Sequence, residues 1–337
     1  MTISYDIAWT LDPSAATFRG RTTARFRGAR PHAELAAVEV VRATLNGRDV
    51  PWDGERLTLR AAPEDNVLEV DAVFPYESER GFRKATDDGD TYLYTLHYPQ
   101  WAKRSFCCLE PDRRAAFALT VDTPGPVLTS DTAFPIVPYA VTVAAGPWSE
   151  VGDDVHVMRS RAVERDKGEE VSRLLKRSIA YFEHLLGVPY PYRRCRAVFV
   201  PELPILAFSA PGLIMFDDGA LNALTSREPR YAVTVVSHEV AHQWAGNLVD
   251  SEPWLVEGLA TYLSRLATEE LLPGSRPWSE LDTAPLPDRA YLPHLTRVAA
   301  VEEAIGRTAL VQGLTTCFRR HAHATASWAH LQSYWRQ

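Results

Sequence analysis

The spacing of apolar residues changes once along this chain, and that change limits the folds open to it more than any other feature. From Ile3 to about Trp148 apolar and polar residues alternate, as in Thr17-Phe18-Arg19-Gly20-Arg21-Thr22-Thr23-Ala24-Arg25-Phe26, the period of strands with one buried face. Runs at 57–60, 67–74, 92–96, 116–121 and 139–145 are spaced as in an antiparallel sandwich rather than a βαβ array. Asn46-Gly47 reads as a hairpin turn. Asp87-Asp88-Gly89-Asp90 lacks the spaced ligands and distal Glu of a calcium loop and reads as a solvated turn. After about Asp153 the spacing becomes helical. A helix is expected over 169–186, ended by Gly187-Val188-Pro189, then two strand-like runs at 196–200 and 212–216. Helices follow from about 226 to 245 and from about 253 to 271, then a proline-rich loop over 273–293 and a helical C-terminal stretch. The expected fold class is α+β: an N-terminal antiparallel β-sandwich domain over 1–152, then a mostly helical domain with a small sheet over 153–337. At about 150 residues per domain, two domains suit the length.

Several function classes drop out. Lys and Arg number 36 against 43 Asp and Glu, a net charge of −7 with no long run of like charge, so nucleic acid is not the expected partner. No stretch reaches the roughly 18 consecutive apolar residues of a membrane span. The first residues carry neither a basic nor an apolar leader region, so a cytoplasmic location is expected. Cys107 and Cys108 are adjacent while Cys195 and Cys317 stand alone, which reads as idle thiols rather than a disulfide framework.

His238-Glu239-Val240-Ala241-His242 falls inside the helix expected over 226–245. Positions i and i+4 share one helix face, so both imidazoles can reach one metal ion. A carboxylate at Glu239 can take a proton from an attacking water and deliver it to a leaving amine. Taken alone, these five residues also fit two solvated histidines on a helix surface. Hydrolytic zinc takes three protein ligands and keeps one position open. Glu257, 15 positions after His242, stands among Leu255, Val256, Leu259, Leu263 and Leu266, the core face of the next helix. An acid there is costly to bury unless it pairs or binds metal, and coordination explains it best.

The run His238-Glu239-Val240-Ala241-His242-Gln243-Trp244-Ala245-Gly246-Asn247-Leu248-Val249, followed by Trp254-Leu255-Val256-Glu257-Gly258, resembles the aminopeptidase N family of gluzincin metallopeptidases, whose relatives include the leukotriene hydrolases. The similarity covers nearly the whole chain. Residues 5–20 look like the family's opening strands, and 81–106 and 182–203 match in order. The stretch 291–331 aligns with the one that begins at the family's Tyr-Glu-Lys-Gly motif, held in register by Gly306, Gly313-Leu314 and Phe318-Arg319-Arg320-His321-Ala322. The resemblance implies a thermolysin-like catalytic domain and one Zn2+ bound by His238, His242 and Glu257. It further implies Glu239 as general acid/base, Tyr291 as the hydroxyl that stabilises the tetrahedral oxyanion, and peptides or amides as substrates. Of the four-residue motif only Tyr291 is kept, since Leu292, Pro293 and His294 replace the rest.

The chain departs from the family in three ways. The gap between His242 and Glu257 is four residues shorter, about one helical turn, which still allows Glu257 to face the histidines. The family's amine-binding motif, Gly-Ala-Met-Glu-Asn, corresponds to Leu206-Ala207-Phe208-Ser209-Ala210, with Ser209 at the amine-binding glutamate, and the second amine-binding position corresponds to Leu96. Ala207, Phe208, Ser209 and Leu96 are thus the expected substrate-pocket residues, and no acid remains among them to hold a free α-ammonium. Third, the family's C-terminal helical domain does not follow Gln337, so a cleft open on one side is expected, either admitting a larger or internally cleaved substrate or closed by a partner chain or a second copy. The expected function is zinc-dependent hydrolysis of peptide or amide bonds in substrates without a free α-amine. Two readings stay open beside it. One is a conventional aminopeptidase with Glu202, Asp217 or Asp218 as relocated anchor. The other is a catalytically silent binding or assembly module, against which stands Glu239, which is not a ligand and serves only chemistry.

Overall fold

Strict alternation buries one face of a strand, and in the computed structural model of the chain, which describes residues 3–77, 79–226, 228–275, 277–278 and 286–335, that rule shapes the first of two units. Unit one comprises Met1–Trp148 with Met158–Ser160, and unit two Ser149–Val157 with Arg161–Gln337.

In unit one a six-stranded sheet runs in the order Ala116–Asp122, Ser4–Thr10, Thr17–Arg27, Asp65–Pro75, Glu39–Leu45, Arg48–Asp49. A four-stranded sheet runs in the order Val127–Thr129, Val143–Ala145, Asp90–Leu96, Gly81–Asp87. Every second residue of Thr17–Arg27 is buried. Trp9 and Phe18 of the first sheet meet Phe82 of the second, with ring centroids 5.7 and 5.0 Å apart, so both inner faces supply one core. The two expected turns are present: Asn46 and Gly47 have φ of 52° and 77°, Asp88 and Gly89 of 47° and 83°, the conformation that tight hairpins require. One pairing departs from a wholly antiparallel sandwich. Ser4–Thr10 pairs in parallel with Ala116–Asp122, because that edge is filled by a strand returning from the second sheet, and only such a long crossover permits parallel pairing.

Unit two holds, but for the end residues Trp148 and Met158, a five-stranded sheet in the order Trp148–Gly152, Val155–Met158, Arg196–Val200, Leu213–Asp217, Ala207–Ala210. Arg196–Val200 is parallel to both of its neighbours, and Ala207–Ala210 closes the edge antiparallel. Seven helices are described: α1 (Arg165–Leu186), α2 (Asp218–Ser226), α3 (Pro229–Ala241), α4 (Pro253–Leu271), α5 (Leu286–Ile305), α6 (Arg307–Arg320) and α7 (Trp328–Trp335). The apolar faces of α1, α3 and α4 share a core with the sheet. Between them short hydroxyl side chains meet in pairs, Ser178 with Ser237 and Thr234 with Thr268, each at 3.0 Å; small residues let the helices approach, and pairing satisfies the buried hydroxyls.

Two expectations need correction. The helix expected over 226–245 is shorter at both ends, α3 spanning Pro229–Ala241, and a separate helix, α2, ends at Ser226 where it was expected to begin; Pro229 opens α3 behind an extended Glu228 with ψ 137°, the conformation that proline imposes on its predecessor. The loop expected over 273–293 gives way to helix at Leu286, so Pro293 lies inside α5; residues 276 and 279–285 of that loop lie outside the described residues. Buried Leu295 and Val298 hold α5 in the core, and their packing outweighs the one backbone hydrogen bond that proline removes. No helix among the described residues is long and apolar enough to cross a membrane.

Candidate metal centre

His238 lies in the last turn of α3 and His242 caps its end, still in helical conformation with φ −60° and ψ −20°. The i, i+4 spacing therefore holds although the helix stops between them, and their rings meet edge to face with centroids 4.7 Å apart. Glu257 sits in the second turn of α4. The chain between reverses at Gly246, whose φ of +110° suits glycine and whose added Cβ would lie 2.9 Å from Val256. The connection, short as it is, brings Glu257 to both histidines.

The three ligand atoms make a small triangle. Nε2 of His238 and Nε2 of His242 are 3.1 Å apart, and Oε2 of Glu257 lies 3.5 and 3.6 Å from them. Tetrahedral zinc with bonds of about 2.0–2.1 Å separates its ligands by about 3.4 Å, so these edges suit one ion. Two further observations fit a cation. Oε2 of Glu257 is buried yet accepts no hydrogen bond from the described residues, which in a protein interior calls for an explanation. Nδ1 of His242 lies 3.1 Å from the carbonyl oxygen of Ala245; a carbonyl only accepts, so Nδ1 carries a proton and Nε2 is the nitrogen turned to the triangle. Among the described residues this is the one group of three potential metal ligands.

The charges are coupled. Burial alone would lower the His242 pKa, but the Glu257 carboxylate outweighs it and pushes it up to about 9. Burial would raise Glu257, yet the neighbouring imidazoles hold it well below the usual carboxylate range. Glu239, 8% exposed, is raised, chiefly by burial and against the pull of both histidines. A carboxyl shifted upward in this way can hold and release a proton nearer neutral pH.

The ring of Tyr291 lies nearly parallel to that of His238, 17° between planes with centroids 5.7 Å apart. The approach of α5 that places it depends on Gly258, where a Cβ would meet the His294 carbonyl oxygen at 2.9 Å and Val298 at 3.1 Å. Ala207, Phe208 and Ser209 lie on the edge strand and are partly exposed. The Ser209 hydroxyl donates to the backbone carbonyl of Glu239 at 2.9 Å. Leu96 belongs to unit one and is fully buried at the end of Asp90–Leu96. Sequence reasoning missed Gln243 and Tyr190, which bond to each other at 3.1 Å beside Ser209. The available signal was a glutamine directly after the second histidine, in a run otherwise bound for the core.

Comparison with known proteins bears on this site. The profile of the Peptidase family M1 domain matches residues 172–290, a span that includes His238, Glu239, His242 and Glu257 and ends one residue before Tyr291. The chain is 27% identical over 315 residues to aminopeptidase N of Streptomyces lividans, covering 80% of this chain and 37% of that protein. It is 29% identical over 239 residues to aminopeptidase M1 of Arabidopsis thaliana, covering 60% and 27%. The solved structure of native yeast LTA4 hydrolase superposes with a TM-score of 0.81 over 99% of this chain and 64% of that one, at 16% identity, a likeness of fold. The chain spans about a third of the length of these two curated relatives.

Proposed function

The chain is a relative of the M1 gluzincin aminopeptidases, and from that premise we propose that it hydrolyses peptide or amide bonds with one zinc ion held by His238, His242 and Glu257. The carrying observation is the triangle of ligand atoms, 3.1 to 3.6 Å on each side, with the buried carboxylate of Glu239 beside it. Zinc bound there supplies Lewis acidity toward the water and the scissile carbonyl. Glu239 accepts the proton that the water loses and passes it to the departing nitrogen, for which its raised pKa suits it. The Tyr291 hydroxyl donates to the oxyanion. We read 1–152 as the β-sandwich domain and 153–337 as the thermolysin-like catalytic domain.

The favoured substrate lacks a free α-amine. Ser209 brings no charge, and its hydroxyl is already engaged by backbone. Two of the three acids that could replace the anchor are occupied elsewhere: Asp218 pairs with Arg161 at 3.2 Å, and Asp217 accepts the N–H of Gly219. The test is a panel of free and N-acetylated peptides of several lengths, with zinc content measured on the same sample. We expect one zinc per chain and faster cleavage of the acetylated series. Efficient removal of free N-terminal residues would replace this reading by a conventional aminopeptidase. Bound zinc without turnover of any peptide would replace it by a silent binding module.

A further inference from the structure

The helix that carries His238 and Glu239 ends inside the motif. Beyond Ala241 the chain tightens: the N–H of Gln243 bonds to the Val240 carbonyl at 3.0 Å, and among the described residues no backbone N–H takes the carbonyl of Glu239 four residues back. Carbonyls stranded at a helix C-terminus need an outside donor, and for Glu239 the donor is the hydroxyl of Ser209, at 2.9 Å. Ser209 is itself held. Nε2 of Gln243 donates to its Oγ at 2.7 Å and to the Ala210 carbonyl at 3.0 Å. Oε1 of Gln243 accepts from the Gly212 N–H at 2.9 Å and from the Tyr190 hydroxyl at 3.1 Å. Nδ2 of Asn247 donates to the Ser209 carbonyl at 3.2 Å. Gln243 is wholly buried with both protons and both lone-pair directions of its amide used. Four hydrogen bonds thus tie the edge strand and the turn after it to the helix end, from the Ser209 hydroxyl to Glu239, from Gln243 to Ser209 and Ala210, and from Gly212 to Gln243.

We propose that Ser209 is a positioning residue: its hydroxyl fixes the peptide plane of Glu239 and, through Gln243, locks Ala207–Ala210 to the end of α3, so that it sets where the Glu239 carboxylate points and holds no part of the substrate. This rests on the reading of Glu239 as proton carrier. A substrate-binding Ser209 and a positioning Ser209 differ in what their loss does. Removing a contact that is equal in ground and transition states raises KM, whereas misplacing the proton carrier lowers kcat.

The test compares Ser209→Ala with Ser209→Thr, which keeps the hydroxyl, on an N-acetylated fluorogenic peptide, with zinc content and hydrogen exchange over 236–248 measured on each. Ser209→Ala is expected to keep its zinc and to lose kcat by about 10- to 100-fold, the scale of a small misplacement of a reacting group, with KM within about twofold. Exchange over 236–248 should quicken while α1 and α4 are unchanged, and Ser209→Thr should recover both properties. A raised KM at unchanged kcat, or full kcat with unchanged exchange, overturns the proposal. If the wild-type protein turns over no peptide, the proposed activity fails on its own, and exchange decides the positioning role: local quickening reversed by Ser209→Thr upholds it, and unchanged protection sinks it.

Discussion

His97 in unit one and the pair His238 and His242 in unit two are all largely removed from solvent, but their ring nitrogens meet opposite surroundings. Nδ1 of His97 lies 2.9 Å from the Val141 carbonyl oxygen and Nε2 lies 2.8 Å from the Ser105 hydroxyl, so the ring donates once and accepts once and is complete within the protein. Burial holds its pKa down, to about 4. In unit two the two Nε2 atoms lie 3.1 Å apart and 3.5 and 3.6 Å from a carboxylate oxygen, while Nδ1 of His242 donates to the Ala245 carbonyl. Burial alone does not mark a functional histidine. What marks it is one nitrogen fixed by the protein and the other aimed at a space that only a proton or a cation can fill.

The largest effect that would break this contrast lies at the triangle. His238→Ala and Glu257→Ala should each lose the metal and all turnover, whereas Glu239→Gln should keep stoichiometric zinc and lose on the order of 10²- to 10⁴-fold in turnover. Elemental analysis on the three variants decides it, and zinc loss in Glu239→Gln equal to that in His238→Ala would make Glu239 a ligand. Next in size, Tyr291→Phe should fold and bind zinc yet turn over 10²- to 10³-fold more slowly, about 2.7–4 kcal/mol for one oxyanion donor; unchanged turnover would move that role elsewhere.

The complete histidine makes a different prediction. With a folded pKa of about 4 against about 6.5 unfolded, His97 binds its proton more readily in the unfolded chain. Its contribution to stability is present above pH 6.5 and is lost as pH falls toward 4, by about 3 kcal/mol. Urea unfolding of the wild type should therefore weaken more steeply across that window than that of His97→Gln, and equal slopes would contradict the assignment. The smallest effect concerns what aims Tyr291. Gly258→Ala should push α5 away by a few tenths of an ångström and cost about 1–3 kcal/mol, with a lower kcat and retained zinc; wild-type melting and kcat would show that α5 gives way freely.

Much of the fold was legible because local chemistry decided it. Two-residue alternation marked the strands of unit one, and Asn46-Gly47 and Asp88-Gly89 marked turns that few other residues can make. The helix over 253–271 was legible from its apolar face and its opening proline. The ends of α3 were not, since apolar residues continue past Ala241 while the chain has already turned. That end is set by the Gly246 reversal and by acceptors and donors on Ala207–Ala210, which no window around residue 241 contains. The start of α5 was hidden for a similar reason, because Pro293 argues locally against a helix that its packing on α4 sustains.

From residue order alone came the candidate ligand set, since i, i+4 spacing puts two imidazoles on one face whatever surrounds the helix, and an acid in an apolar face has few other uses. Only the tertiary structure decided that Oε2 of Glu257 closes a triangle with both Nε2 atoms, that Tyr291 lies over His238, and that the Ser209 hydroxyl turns to the Glu239 backbone instead of outward. These are distances between segments far apart in sequence. They are set by how closely helices and an edge strand pack, and that depends on small residues such as Gly258 and on buried hydrogen bonds whose two ends no local pattern contains.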